Sequence, residues 1–250
     1  MVVSIKSARD IAAMRVAGQI VAQTFAHITP LVTPGISTAA LDQAAEEFIR
    51  TKGAIPAYKG YHGFPATLCI SPNNVICHGI PGPHMLNEGD IVGIDVGVIV
   101  NGWYGDACIT LPVGQISPAA QRLLDCAQSA LEVGIAAATV GNKLGDVGAA
   151  IQRHAEAQGF SVVREYTGHG IGKALHEDPT VHHVGQSGTG LVLKPGMVFT
   201  IEPMINAGSH KTQLDKKDKW TVRTADGSLS AQFEHTIAIH PDGPQRLTML

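Results

Sequence analysis

Four acids lie in stretches that otherwise have the composition of a sheet interior. Asp95 sits in IVGIDVGVIV, Asp106 in WYGDACITL, Glu202 in MVFTIEPMI and Glu234 in FEHTIAI. Taking a lone carboxylate out of water costs several kcal/mol even after relaxation. Four together would repel one another or take up protons unless a cation were present. Arginine or lysine could neutralise them, but neither occurs within residues 91–111, 197–205 or 233–239. Two divalent cations would balance the four charges. His169, in TGHGIGKALHE, is the natural fifth donor, because glycine on either side lets the backbone bring its imidazole close to a metal. Carboxylate oxygens with one imidazole suit Mn, Fe(II), Co or Zn better than Ca. His176 would point to the opposite face from His169 on a regular strand, which places it on a loop.

The elements that must hold these residues follow from periodicity. Ile11, Met14, Val21 and Phe25 mark one face of a helix over 8–29, ended by Pro30. Ser37 opens a second helix that stops at Gly53. Two more are expected over 117–138, opened by Ser117-Pro118, and 145–158, ended by Gly159. Ile91–Val100, Trp103–Leu111, Ser161–Tyr166, Met197–Ile205 and Phe233–Ile239 read as strands. The order is therefore helix, helix, strands, given twice. Short strings repeat with it: His78-Gly79-Ile80 returns as His169-Gly170-Ile171, GDIVGID as GMVFTIE, and Asp106 matches Glu234. One domain over 1–250 is expected, with halves of roughly 1–115 and 116–250 facing each other across a shared cleft.

Composition removes several classes. With 18 Lys+Arg against 21 Asp+Glu and 16% charged residues, the chain is neither a disordered acidic chain nor a nucleic-acid coat, so no DNA partner is expected. The four cysteines form no C-x-x-C, which excludes a zinc ribbon and gives no sign of a disulfide scaffold. An apolar signal core and a membrane-length apolar run are both missing, so a cytoplasmic protein is expected. GHGIGK fails the phosphate-loop pattern at Thr167 and Ala174, and no G-x-S-x-G serine elbow occurs. Cys77 next to His78 is not a nucleophile pair, because neighbours on a strand face opposite ways.

The strings GYHGFPATLCISPNNVICHGIP, GDIVGIDVGVIVNGWYGD, TGHGIGKALHEDP, MVFTIEPMIN and SLSAQFEHTI together resemble the methionine aminopeptidases, from about Ile11 to the C-terminus. The resemblance implies the pseudo-two-fold α/β "pita-bread" fold. It implies two divalent ions on Asp95, Asp106, His169, Glu202 and Glu234, with Asp106 and Glu234 bridging. It also makes His78 and His176 catalytic histidines outside the ligand set, and Glu202 a proton shuttle as well as a ligand. The activity implied is removal of the initiator methionine, by a metal-bridged hydroxide, from new proteins whose second residue is small. Tyr61, His62, Phe64, Cys69 and Trp220 occupy the positions that line the methionine pocket in that family. Leu175 departs from a relative that has Phe before the second histidine. A monovalent cation near Asn73, Val75 and Ser230 is a further implication. With the first helix starting almost at once, the chain resembles the bacterial type I enzymes that lack a zinc-finger extension. A monomer is expected. Ribosome docking would rest on Lys211, Lys216, Lys217 and Lys219, which read otherwise as a solvated hairpin. The alternatives are an Xaa-Pro peptidase of the same fold and a non-catalytic ribosome- or protein-binding relative.

Overall fold

The structure, a computed structural model, describes residues 3–250. Helix α1 (Ala8–Ile28) opens on a reciprocal cap: Ser7 Oγ accepts the Asp10 N–H at 3.2 Å, and the Asp10 carboxylate accepts the Ser7 N–H at 3.0 Å. Pro30 then falls in a single 3-10 turn, Thr29–Leu31. α2 (Thr38–Thr51) and α3 (Pro118–Ala137) start at Ser37 and Ser117, whose hydroxyls each accept an N–H three residues on at 3.1 Å. α4 (Leu144–Ala157) is tied at its start by Asp146, which accepts the Lys143 N–H at 2.8 Å.

The strands in the first half are β1 (Ile55–Pro56), β2 (Leu68–Pro72), β3 (Val75–Cys77), β4 (Ile91–Val100) and β5 (Trp103–Pro112). The second half has β6 (Ser161–Val162), β7 (Gly168–Gly170), β8 (Glu177–Val181), β9 (Val198–Ile201), β10 (Met204–Asn206), β11 (Thr212–Leu214), β12 (Val222–Thr224), β13 (Ser230–Gln232), β14 (His235–His240) and β15 (Gly243–Arg246). β4 is central to the first sheet. It forms a long antiparallel hairpin with β5 through Asn101-Gly102, both at positive φ as a tight hairpin turn requires, and its other edge pairs with β1 and then β2. In the second half the sheet runs β15-β14-β9-β7-β8 with a smaller one, β13-β10-β6, and a third sheet, β11-β12-β3, takes its last strand from the first half.

Two expected strands differ from the observed ones for identifiable reasons. Met197–Ile205 breaks at Glu202-Pro203, where proline has no N–H to extend a ladder. β9 and β10 then join different sheets, and Glu202 sits in the break. Ser161–Tyr166 pairs only over its first two residues, and Tyr166 and Thr167 leave the sheet to line the cleft described below.

Each half buries its sheet under its own helices. Val21, Ile28, Leu41 and Ile49 pack with Leu68, Ile70, Ile94 and Val96, while Leu123, Leu131 and Ile151 pack with Phe199, Ile201, Ile205 and Ile237. α1 lies so close to β5 that a Cβ on Gly105 would come within 2.8 Å of the Gly18 nitrogen. The halves meet where β5 runs past β13 and β14, and side-chain hydroxyls stitch that seam. Thr236 Oγ1 donates to the Asp106 carbonyl at 2.7 Å and accepts the Asp106 N–H at 3.3 Å. Thr110 Oγ1 does the same with Gln232, at 2.7 and 3.0 Å, and the Glu234 N–H donates to the Cys108 carbonyl at 2.8 Å. The seam therefore fixes the backbones of Asp106 and Glu234, one acid from each half, against each other.

Candidate metal centre and active site

A cleft of about 680 Å³ opens between the halves, and Asp95, Asp106, His169, Glu202 and Glu234 all line it. Asp95 comes from mid-β4 opposite Cys108, and Asp106 from β5 opposite Gly97. Glu202 follows β9, Glu234 precedes β14, and His169 is the middle residue of β7. Asp106, Glu202 and Glu234 are buried.

The His169 ring is oriented for metal binding. Its Nδ1 lies 3.0 Å from the Gly170 carbonyl and so carries the proton, which leaves the Nε2 lone pair free. That Nε2 lies 3.6 Å from Glu202 Oε1 and 3.8 Å from Asp106 Oδ2. Burial, then the neighbouring His176, pushes its pKa down to about 3, so it is a neutral donor at pH 7. The acids are displaced the other way. Burial pushes Glu202 up to about 8, against the Thr200 hydroxyl bond that favours its charge. Burial raises Asp95 to about 6, opposed by the Tyr58 hydroxyl. Asp106 is raised by burial and the Asp95 charge, and Glu234 by burial and the Asp106 charge.

A carboxylate and imidazole cluster with these properties fits a divalent transition ion. One donor atom from each of Asp106, His169 and Glu234 can be chosen so that all lie within 4.8 Å of one another. Glu234 Oε1 is buried and has no hydrogen-bond partner among the described residues, an orphan acceptor that a cation would satisfy. The supporting contacts are polar and buried. Thr200 Oγ1 donates to Glu202 Oε1 at 2.7 Å and accepts the His169 N–H at 2.9 Å, while Gln232 Nε2 donates to Glu202 Oε2 at 3.3 Å. His183 accepts the Glu202 N–H on Nε2 at 3.1 Å.

The two remaining histidines line the same cleft. His78 lies just past β3 at φ +55°, a conformation that non-glycine residues rarely adopt, and its ring meets Tyr166 and Trp220 edge-on. Burial, then His176, holds its pKa near 4. His176 sits in the loop before β8, with Nδ1 2.6 Å from the Tyr61 hydroxyl and its ring 4.2 Å from that of His169. Glu177 shapes that loop: its Oε1 accepts the Lys173 and Ala174 N–H groups at 2.7 and 3.1 Å, and its Oε2 pairs with buried Lys6 at 2.5 Å.

Tyr61, His62, Phe64, Cys69 and Trp220 line the same cleft, as does buried Leu175. Phe64 and Trp220 meet edge to face at 5.2 Å. Trp220 is delivered by the β11–β12 hairpin, where Asp218 Oδ1 accepts the Trp220 and Thr221 N–H groups at 2.8 and 2.9 Å. Asn73, Val75 and Ser230 lie away from the cleft. There the Asn73 carbonyl accepts the Ser230 N–H at 2.9 Å, a further link between the halves, and Val75 opens β3.

Sequence reasoning missed Tyr58, Thr200, Gln232 and His183. Thr200 and Gln232 stand two residues before Glu202 and Glu234, and for Thr200 on β9 the alternation of a strand puts both side chains on one face. Tyr58 and His183 carry no such local signal. They reach the acids through the pairing of β1 with β4 and through the turn after β8.

The fold and the site together define a metallopeptidase. The chain belongs to metallopeptidase family M24, whose sequence profile matches residues 12–241. Among its relatives, methionine aminopeptidase A of Synechocystis sp. is 51% identical over 99% of this chain and 98% of that protein. Methionine aminopeptidase 1 of Bacillus subtilis is 49% identical over 97% of this chain and 98% of that one. The crystal structure of methionine aminopeptidase from Rickettsia prowazekii superposes with a TM-score of 0.98 at 48% identity, covering 99% of this chain and 100% of that chain.

Proposed function

We propose that the protein is a metalloaminopeptidase that removes the N-terminal methionine from newly made chains whose second residue is small. The observation that carries the reading is the gathering of four carboxylates from both halves in one cleft with the neutral His169 nitrogen, with Glu234 Oε1 left orphaned. Asp95, Asp106, His169, Glu202 and Glu234 would hold two ions, with Mn, Fe(II), Co and Zn all compatible with the donors. When bound, such ions activate water and polarise the scissile carbonyl.

The chain's own groups supply the rest. Glu202 takes a proton from the attacking water and passes it to the leaving nitrogen. Thr200 and Gln232 hold its two oxygens in place for that transfer. His176, fixed by the Tyr61 hydroxyl, donates to the oxyanion, and His78 contacts the scissile amide nitrogen. The substrate's free α-amino group would bind one of the ions, which suits an aminopeptidase rather than an endopeptidase. Phe64, Trp220, Cys69, Tyr61 and His62 accept the methionine side chain, where sulfur–ring contacts add about 0.3–1.5 kcal/mol to apolar burial.

The reading includes one domain of two repeated halves, a cytoplasmic monomer, and a separate monovalent cation at Asn73, Val75 and Ser230. Lys211, Lys216, Lys217 and Lys219, all exposed on or beside the β11–β12 hairpin, are the surface available to a ribosome. Among the described residues, no helix is long and apolar enough to cross a membrane. Incubating Mn-loaded protein with Met-Ala-Ser and with an Xaa-Pro peptide tests the function. Release of methionine from the first alone supports it, and cleavage of the second instead makes the protein an Xaa-Pro peptidase. No cleavage of either supports a non-catalytic relative.

A further inference from the structure

A buried histidine, His183, lies against the backbone of Glu202 and takes no part in the chemistry described so far. It is only 1% exposed, and its Nε2 accepts the Glu202 N–H at 3.1 Å. An accepting Nε2 makes the ring neutral, with its proton on Nδ1. That Nδ1 is buried and has no hydrogen-bond partner among the described residues. A buried donor without a partner is costly, and an apolar side chain in this place would avoid it. The residue is therefore explained by what Nε2 does.

The need for an acceptor follows from the break in the sheet. β9 ends at Ile201, opposite His235 at the start of β14, and Pro203 has no N–H to carry the ladder on. On the other side β7 pairs with β9 only through Gly170 and Phe199. Glu202 is buried in that gap, and its N–H donates to an imidazole rather than to a strand carbonyl. The side chain is held separately, Oε1 by Thr200 and Oε2 by Gln232. Three residues, from β9, β13 and the turn after β8, thus fix Glu202 at its backbone and at both oxygens.

We propose that His183 is the positioning residue for the Glu202 proton shuttle: its Nε2 lone pair sets the Glu202 backbone, and through it the direction in which the carboxylate enters the cleft. The inference rests on the function proposed above and adds to it a residue that touches neither substrate nor metal.

Steady-state kinetics on Met-Ala-Ser at saturating Mn(II) test the role. His183→Leu removes the acceptor, so kcat should fall by up to about 100-fold, as for a displacement of ~1 Å at a reacting group, with KM within about threefold. His183→Gln places an amide oxygen at the reach of Nε2 and should return kcat to within about threefold of the wild type. A residue that only filled the core would give the reverse order, leucine being tolerated better than glutamine. Wild-type kcat in His183→Leu, no recovery in His183→Gln, or loss of the fold in both would overturn the proposal. A wild type that releases no methionine with Mn(II) would overturn instead the function on which it rests. Nitrogen-15 spectra of the Zn(II)-loaded protein need no turnover. The ring signal missing from either variant should belong to the neutral tautomer protonated on Nδ1, and a proton on Nε2 or a charged ring would contradict the assignment.

Discussion

Removing divalent ions should make the protein less stable as the pH rises, most clearly between pH 6.5 and 8. The Glu202 carboxyl is raised from 4.5 to about 8, and Asp106 and Glu234 are raised by the same burial. An acid whose folded pKa exceeds its unfolded value stays protonated in the fold while the unfolded chain ionises. The unfolded state then binds fewer protons, and stability falls with pH until the folded pKa is passed. Buried histidines act with the opposite sign. His78 and His235 are lowered from 6.5 to about 4, and His169 and His183 to about 3, so their contribution is lost as the pH falls through and below 6.5 and opposes the acids there. The unfolded chain still holds half of these protons at pH 6.5 and sheds them by about pH 7.5, so the histidines offset part of the loss at the lower end of the interval and none at the upper end, where the acids act alone. Over the interval to pH 8, at ~1.36 kcal/mol per pH unit for one retained proton, Glu202 alone removes about 2 kcal/mol. For a chain of this size that lowers Tm by about 4–8 °C. Bound cations replace the protons, so the loaded protein should hold its Tm across the same interval. Scanning calorimetry of chelator-dialysed protein at the two pH values, with and without Mn(II), measures the difference. A metal-free Tm that stays level or rises toward pH 8 would refute the electrostatic reasoning.

Glu202→Gln should keep the fold and lose about 10²–10⁴-fold in turnover, checked by methionine release alongside circular dichroism. Thr236→Val leaves the Asp106 carbonyl and N–H at the seam without their hydroxyl partner. It should lower the unfolding free energy by about 1–3 kcal/mol in urea. Lys6→Met strips the buried partner from Glu177 and should destabilise by about 3–5 kcal/mol. Because Glu177 shapes the loop that carries His176, turnover should fall more than the affinity for Mn(II), and parallel steady-state kinetics and metal titration would separate the two.

The parts of the fold that depend on local chemistry were legible in the sequence. Ser7, Ser37 and Ser117 announce their helices because a hydroxyl at the N-cap satisfies an otherwise orphaned N–H. Ile91–Val100 reads as a strand because its β-branched run has no charge but Asp95. The acids stood out for the same reason, as charges in stretches with no cation to pair them. What could not be read depends on partners distant in the chain. The short strands β1, β3, β7 and β13 have no periodicity of their own and exist because a neighbour offers hydrogen bonds. Tyr58 reaches Asp106 only because β1 docks on β4 and β4 on β5. His183 reads as one histidine among twelve until the turn after β8 buries it beneath Glu202.

The most direct test is diffraction from crystals of the protein soaked in manganese, with data collected near the metal's absorption edge. An anomalous peak bonded to Asp106, Glu202, Glu234 and the Nε2 of His169 is the result the metal centre requires. A map with no peak there, or those carboxylates paired with guanidinium groups or turned toward solvent, would contradict it.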